Sequence, residues 1–313
     1  MVLSRKNPRS GAEILRFAQN DRKGEIWGLK VVGYLFLAGL GSGAFGAAAG
    51  LDLHTNGQSR DLTNIGAWIG LLGVGVGALL LLWDLGIPHR FFRLVGNKSS
   101  LISAGTVILT VLLVLASITI IVAVFSPGIS PTVYRALMVL AAGFGLATSI
   151  YVGFLLAVVK CRPFWNTPLL PLLFVVSSFS TGVSALSSVA STASGLRVPA
   201  AAADILSSGE VLLLGLELVM VAFYVATMEN ALPQARIAVR RWVRGDLAAV
   251  FWLGIVVGGL MLPLVLMVAG VLVPPPLVAI LILAGGFSLR YGVLSAGARA
   301  LLPGEAQQAA FVR

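Results

Sequence analysis

Long apolar runs separated by short polar segments dominate the pattern along the chain. A bilayer core of about 30 Å takes about 20 apolar residues as a helix, and eight runs reach that length. A membrane β-barrel would instead show alternating segments of about half that length. The pattern therefore predicts an all-α integral membrane protein with eight transmembrane helices, at Val31–Gly50, Ile65–Trp83, Leu101–Val124, Tyr134–Val159, Leu169–Ala190, Ile205–Met228, Leu247–Leu272 and Pro275–Leu294.

The polar segments divide these helices into two sets of four. We predict a polar, basic N-terminal tail over residues 1–30 and a first four-helix bundle over residues 31–159. A second four-helix bundle with a short C-terminal tail follows over residues 160–313. Pro263 predicts a kink in the seventh helix, and Pro274, Pro275 and Pro276 predict a tight turn before the eighth.

The composition agrees with a membrane protein and limits the metal and haem groups that this chain can bind. Of 313 residues, 58% are hydrophobic and 11% are charged, whereas about a quarter of a soluble domain is charged. One cysteine, Cys161, cannot ligate an iron–sulfur cluster. The only histidines, His54 and His89, follow successive helices and so lie on opposite membrane faces, where they cannot share a haem. We therefore expect no haem or metal in this chain.

Basic residues concentrate on one side of the predicted membrane topology. The N-terminal tail, the loops after the second, fourth and sixth helices, and the C-terminal end carry nineteen Lys and Arg, with Arg290 counted at that end. The opposite side carries Arg60, Arg135 and Arg197. The positive-inside rule therefore predicts that both termini are cytoplasmic. Dispersed between apolar runs, these charges form no nucleic-acid-binding patch.

Acidic residues inside the apolar runs are the first candidates for function. Glu217 lies in the middle of the sixth helix, Glu210 two turns earlier, and Asp84 at the end of the second. A charged group near the bilayer centre costs a few kcal/mol. These acids are therefore candidates for proton transfer, and the alternative for Glu217 is a structural partner of an Arg or a Ser hydroxyl.

The fifth helix is rich in hydroxyl groups. At helical spacing, one stripe of its surface carries Ser177, Ser180, Ser184, Ser187 and Ser191. Hydroxyls in a membrane bundle bond their own helix or join helices, and they can also hold a file of waters. Packing and a polar channel both stay open, and Ser180 and Ser184 are the candidates for proton transfer.

Small residues in the first helix predict a close helix–helix contact. The pairs Gly39/Gly43, Gly43/Ala47 and Gly46/Gly50 have the small-xxx-small spacing that lets two backbones approach. Helix packing alone explains this spacing. The alternative is that the helix backbone, left uncovered by side chains, also admits a flat ligand.

Three motifs, in order, resemble the polysulfide reductase membrane subunit, or NrfD, family. They are the glycine-rich YLFLAGLGSGAF at Tyr34–Phe45, the loop WDLGIPHRFFR at Trp83–Arg93, and RPFWNTPLLPLLFVVSSFSTG at Arg162–Gly182. The resemblance covers about the first 230 residues. It implies a membrane subunit without redox metals that exchanges electrons between a quinone, expected to be menaquinone, and a docked iron–sulfur subunit.

The resemblance also implies partners and site residues. The partner is a four-cluster ferredoxin-like protein, with a molybdopterin or multihaem enzyme beyond it, in the cytoplasmic membrane of a prokaryotic cell. Tyr151 matches the tyrosine that bonds a quinone carbonyl in this family. The histidine and asparagine that the family places at the start of the first helix are replaced here by Trp27, Lys30 and Tyr34.

Candidates for docking this partner are basic residues near the family motifs, namely His89, Arg90, Arg93 and Arg162. In the resembled complexes the face with the N-terminus carries the partner, often outside the cell, whereas the charge count places it inside. The main hypothesis is a quinone-interacting subunit, with proton transfer as a coupled step to be tested. The alternatives are a passive anchor of such a complex and an ion or small-solute transporter.

Overall fold

The computed structural model describes residues 28–84, 101–125, 128–159, 162–193 and 198–298. Eight of its helical stretches are long and apolar enough to cross a membrane, so the chain is an all-α, multi-pass membrane protein. The helices are α1 (Leu29–His54), α2 (Arg60–Asp84), α3 (Leu101–Phe125), α4 (Pro131–Ala157), α5 (Leu169–Thr192), α6 (Ala200–Glu229), α7 (Pro233–Arg244), α8 (Leu262–Val268) and α9 (Pro275–Ala298), with a π-helical segment at Val250–Met261 before α8.

All eight predicted spans are confirmed, with ends that differ by a few residues. The largest differences are at the starts of α2 and α6, each of which begins five residues before the predicted span. The turn between α1 and α2 fixes the end of α1. Asn56 and Gly57 have positive φ values of 52° and 85°, and the Asp52 carboxylate accepts a bond of 2.9 Å from the Ser59 backbone N–H.

Helix α1 lies at the centre of the molecule, against α2, α4 and α5. A Cβ atom on Gly43 would overlap the Ser178 backbone carbonyl of α5, and one on Gly182 would overlap the backbone of α1. On another face, Gly46 approaches Gly145 of α4. The close approach predicted from the small residues is therefore confirmed. The second possibility, that the bared backbone admits a ligand, stays a prediction.

Contacts between the two halves of the chain are extensive. Helices α1 and α4 of the first half both pack against α5 of the second, and α9 reaches α1. A shared core of this kind gives each half a face that is buried only by the other half. The division into two separate four-helix bundles therefore stays a prediction.

The seventh span is irregular around its proline. A π-helical segment ends at Met261, and α8 starts at Leu262 with Pro263 in its first turn. Because proline has no N–H, a regular helix would leave a carbonyl one turn earlier without its partner. Within the π-helical segment, Gly259 lies directly against Gly285 of α9. These features do not give a bend angle for the helix, so the kink predicted at Pro263 stays a prediction.

Helix α7 was not predicted, because its four arginines suggested a polar loop. It is amphipathic, with Ala235, Ala238, Val239 and Trp242 buried and most of its arginines exposed. The Trp242 ring packs edge-to-face on Phe164, Tyr224 and Phe251. A short helix outside the spans is thus fixed to the bundle by one aromatic anchor.

In the last turn of α7, Arg241 forms a paired contact with Asp246, which lies just beyond the helix. Its Nε and Nη2 atoms donate to the two carboxylate oxygens at 2.7 and 2.9 Å. These hydrogen bonds raise the pKa of Arg241 above its usual value. The contact closes the turn that leads from α7 into the seventh span.

Candidate functional site

Two tyrosines from different helices meet inside the first half of the molecule. Tyr34 lies in the second turn of α1 and Tyr151 near the end of α4, and because the chain runs in opposite directions in these helices both lie at the same end. Tyr34 is 1% exposed and Tyr151 is 4% exposed. Their hydroxyls interact with each other. Within the described residues, the Tyr34 hydroxyl has no hydrogen-bond partner, so the two oxygens approach without forming a regular hydrogen bond.

The other candidates for this site are placed less deeply. Lys30 is exposed in the first turn of α1, with its Nζ atom 5.1 Å from the centre of the Trp83 ring. Asp84 is the last residue of α2, but its side chain lies outside the described set. Trp27 also lies outside the described residues. The structure therefore brings Tyr34 and Tyr151 together and places Lys30 at the rim of the same end.

Glu217 lies in a second polar centre, inside the second half. Its side chain is 2% exposed and interacts with the hydroxyls of Ser177 and Ser180 and with the charge of Arg290. Ser177 accepts a bond of 3.0 Å from Arg290 Nη1. The Ser177 hydroxyl therefore lies between the carboxyl and the guanidinium. Both roles considered for Glu217, proton transfer and structural pairing with an Arg or a Ser, stay predictions.

Arg290 is the residue that sequence reasoning misplaced. It was counted among the charges at the C-terminal end, but α9 continues to Ala298 and Arg290 is fully buried, with 0% exposure. Without Arg290, the side of the membrane assigned to the termini carries eighteen Lys and Arg, and the opposite side carries three. The signal that could have revealed it is an arginine that interrupts an apolar run with glycines one turn before it.

Four contacts hold the Arg290 guanidinium in place. Besides Ser177, it donates to the carbonyl oxygens of Gly286 and Leu35 at 2.9 and 3.3 Å and to the Ser178 hydroxyl at 3.1 Å. The rings of Phe36 and Phe174 lie 5.6 and 5.5 Å from its central carbon. The buried charge is thus satisfied by groups on α1, α5 and α9.

The serine stripe of α5 leads from this centre towards the opposite end of the helix. Ser180 lies near Glu217, and Ser184 and Ser187 lie near Glu210, which is 5% exposed. Among the described residues, none of these three hydroxyls has a hydrogen-bond partner. At 1.5 Å per residue, Ser177 to Ser187 spans about 15 Å, half of a bilayer core.

A cavity of about 320 Å³ lies at the far end of this stripe. Its polar lining includes Glu210, Ser187, Ser191 and Ser207, and the remaining lining is mostly apolar side chains of α6, α8 and α9. Ser191 and Ser207 donate to carbonyls of their own helices. The groups left to face the cavity without such a bond are therefore Glu210 and Ser187.

The candidates for partner docking fall into two groups. His89, Arg90 and Arg93 lie outside the described residues. Arg162 is half-buried, and its Nη1 atom donates to the carbonyls of Gly297 and Ala298 at the end of α9. A cation at a helix C-terminus satisfies its free carbonyls and its dipole. Arg162 therefore has a structural role, and its docking role stays a prediction.

Comparisons with known proteins give a consistent result. The family model "Polysulphide reductase, NrfD" matches residues 18–301. The sequence is 29% identical to the C subunit of the polysulfide reductase of Wolinella succinogenes over 299 residues, which cover 87% of this protein and 94% of that subunit. It is 26% identical to a protein NrfD homolog of Haemophilus influenzae, with the same coverage. It is also 26% identical to protein NrfD of Escherichia coli, covering 77% of this protein and 84% of that one.

Proposed function

Because the chain belongs to the polysulphide reductase NrfD family, we propose that it exchanges electrons between a membrane quinone and a docked iron–sulfur protein. It does so as the membrane subunit of a respiratory oxidoreductase complex. The Wolinella relative is named as one lettered subunit of a larger enzyme, which supports a role inside a complex. The quinone is an exchangeable substrate, and menaquinone is the proposed one.

The observation that carries this proposal is the pair of phenols at Tyr34 and Tyr151. A buried polar group without a partner costs about 1–3 kcal/mol, and the Tyr34 hydroxyl is such a group. Quinone carbonyls are acceptors, and a phenol is a donor. A quinone at this end would therefore satisfy the donor that the described residues leave unpaired.

Reduction of a quinone takes up protons, so the site needs a route for them. The polar groups of the second half supply a candidate route: the cavity, Glu210, the hydroxyls of Ser184 and Ser180, and Glu217. Glu217 and Glu210 would hold the proton, and the serine hydroxyls would bridge the acids with water. Asp84 is the candidate acid nearest the quinone end. We propose that electron exchange at the tyrosines is coupled to proton movement along this line.

The iron–sulfur partner is proposed to dock at the end that carries Tyr34 and Tyr151. Electron transfer to a partner requires a short distance, and the docking candidates His89, Arg90 and Arg93 follow α2 in the sequence. A four-cluster ferredoxin-like protein with a molybdopterin or multihaem enzyme behind it is the proposed assembly. The cytoplasmic membrane of a prokaryote, with both termini inside, is the proposed location.

Binding of a quinol analogue to the purified complex tests this proposal. We expect saturable binding to the wild type and binding about tenfold weaker for Tyr151→Phe, because one hydrogen bond of about 1.4 kcal/mol is lost. Tyr291→Phe, a partly buried tyrosine on α9, is the matched control and should bind like the wild type. Wild-type complex that binds no analogue would overturn the quinone site and favour the passive anchor or the transporter.

A further inference from the structure

Gly105 of α3 lies directly beneath the phenol of Tyr151. A Cβ atom built on Gly105 would overlap the Cζ, Cε2 and Oη atoms of that ring. The end of the phenol therefore occupies the space that any side chain at position 105 would fill. Because Tyr151 is buried, its ring could not move aside without displacing packed neighbours.

This position of Tyr151 determines which group its hydroxyl can reach. Its ring extends across the backbone of α3, and its hydroxyl interacts with that of Tyr34 from α1. The two oxygens converge on one region, and the Tyr34 hydroxyl has no hydrogen-bond partner within the described part of the chain. Two donors that converge in this way can share one acceptor between them.

The carbonyls of a para-quinone stand at opposite ends of its ring, so two adjacent hydroxyls cannot bond one each. A carbonyl oxygen has two lone pairs and can accept both. We propose that Gly105 is a positioning residue that sets a two-phenol clamp, in which Tyr34 and Tyr151 both donate to the same carbonyl oxygen of the quinone. This inference rests on the proposed function, and it assigns Tyr34 and Tyr151 to the same carbonyl.

The clamp would make quinone binding asymmetric. Two donors on one oxygen favour negative charge at that oxygen, as in other sites where paired donors face a developing charge. The second carbonyl would lie away from the tyrosines and keep an environment closer to that of the free quinone. One carbonyl of the bound quinone should therefore differ from the other in its vibrational frequency.

Infrared difference spectra of the complex, loaded with menaquinone carrying ¹³C at one carbonyl or the other, test the clamp. We expect one carbonyl band shifted to lower frequency and one nearly unshifted. Tyr34→Phe and Tyr151→Phe should each move the same band back towards the free value. If the two changes act on different bands, each tyrosine serves its own carbonyl and the clamp is refuted.

Gly105→Ala tests the positioning role directly. We expect quinol-analogue binding to weaken about tenfold and the asymmetry of the bands to fall, because the added methyl displaces the Tyr151 phenol. Gly143→Ala on α4, where a Cβ meets nothing within 4 Å, should leave both unchanged. A Gly105→Ala complex that binds and absorbs like the wild type would overturn the inference.

A second background separates a folding defect of Gly105→Ala from a loss of positioning, by removing the Tyr151 ring that the added methyl contacts. In a Tyr151→Leu background the methyl meets no phenol, so Gly105→Ala should leave assembly and the residual binding unchanged. If it weakens binding further there, Gly105 acts by another route and the positioning role is refuted. A wild type that binds no quinone would instead refute the proposed function, so the two failures are distinguishable.

Discussion

Removing the charge of Arg290 should destabilise the protein strongly. In Arg290→Met the side chain keeps its bulk, but the bonds to Ser177, Ser178 and two backbone carbonyls are lost. Glu217 is then left buried without the cation that faces it. Breaking a buried charge pair by removing one partner costs about 3–5 kcal/mol.

The magnitude can be checked by thermal unfolding of the purified complex. At about 2.1 cal/mol/K of unfolding entropy per residue, a loss of 1 kcal/mol lowers the Tm of this 313-residue protein by about 1.5 °C. Arg290→Met should therefore lower it by about 5–8 °C. Arg236→Met is the matched control, since Arg236 is exposed and donates from its Nε atom to the Glu229 carbonyl. That control should shift Tm by no more than about 2 °C.

A double variant separates the charge from the packing. Arg290→Met with Glu217→Gln removes both charges, and replacing a whole buried pair is often neutral. Most of the lost stability should therefore return. If the double variant is no more stable than Arg290→Met, the cost lies in the hydrogen bonds to the backbone and serines, and the argument from the unpaired carboxyl is refuted.

Three other substitutions have expected outcomes that can be measured. Glu210→Gln should slow quinone-linked proton uptake by the complex in liposomes that enclose a pH dye, because the proposed route loses the acid that faces the cavity. The control Asp204→Asn, exposed on the same helix, should not slow it. Equal rates for wild type and Glu210→Gln would remove Glu210 from the route. Gly43→Ala should cost about 1–3 kcal/mol in denaturant unfolding, because its methyl overlaps the α5 backbone, and Gly50→Ala, with open space around it, should be neutral. Arg162→Ala should lower Tm while the partner stays bound; loss of the partner at an unchanged Tm would show docking instead of capping.

The transmembrane spans could be predicted from sequence because their signal is local. Twenty consecutive apolar residues fulfil the bilayer requirement whatever their neighbours are. The order and direction of the helices also place Tyr34 and Tyr151 at the same membrane face, since the first span starts there and the fourth ends there. That the two side chains meet depends on how α1 packs against α4, which helix order alone does not give.

Other features depend on which face of a helix meets which neighbour. Arg290 was counted as a charge at the membrane surface because a one-dimensional count cannot show that Ser177, Ser178 and Leu35 surround it. Helix α7 is missed for a related reason. Its Trp242 anchor is recognisable only once Phe164, from the segment between α4 and α5, packs against it. Gly105 is an ordinary helix glycine until the Tyr151 ring is placed above it.

Arg290 connects the two polar centres that the proposed function requires. It donates to the carbonyl of Leu35, the residue after Tyr34, and through Ser177 it faces Glu217. A change of charge at Glu217 therefore acts on a cation that is bonded to the α1 backbone beside the tyrosines. The same bonds join α9 and α5 to α1 across the boundary between the two halves of the chain. We therefore expect a change at Arg290 to affect both the stability of the protein and the proposed coupling.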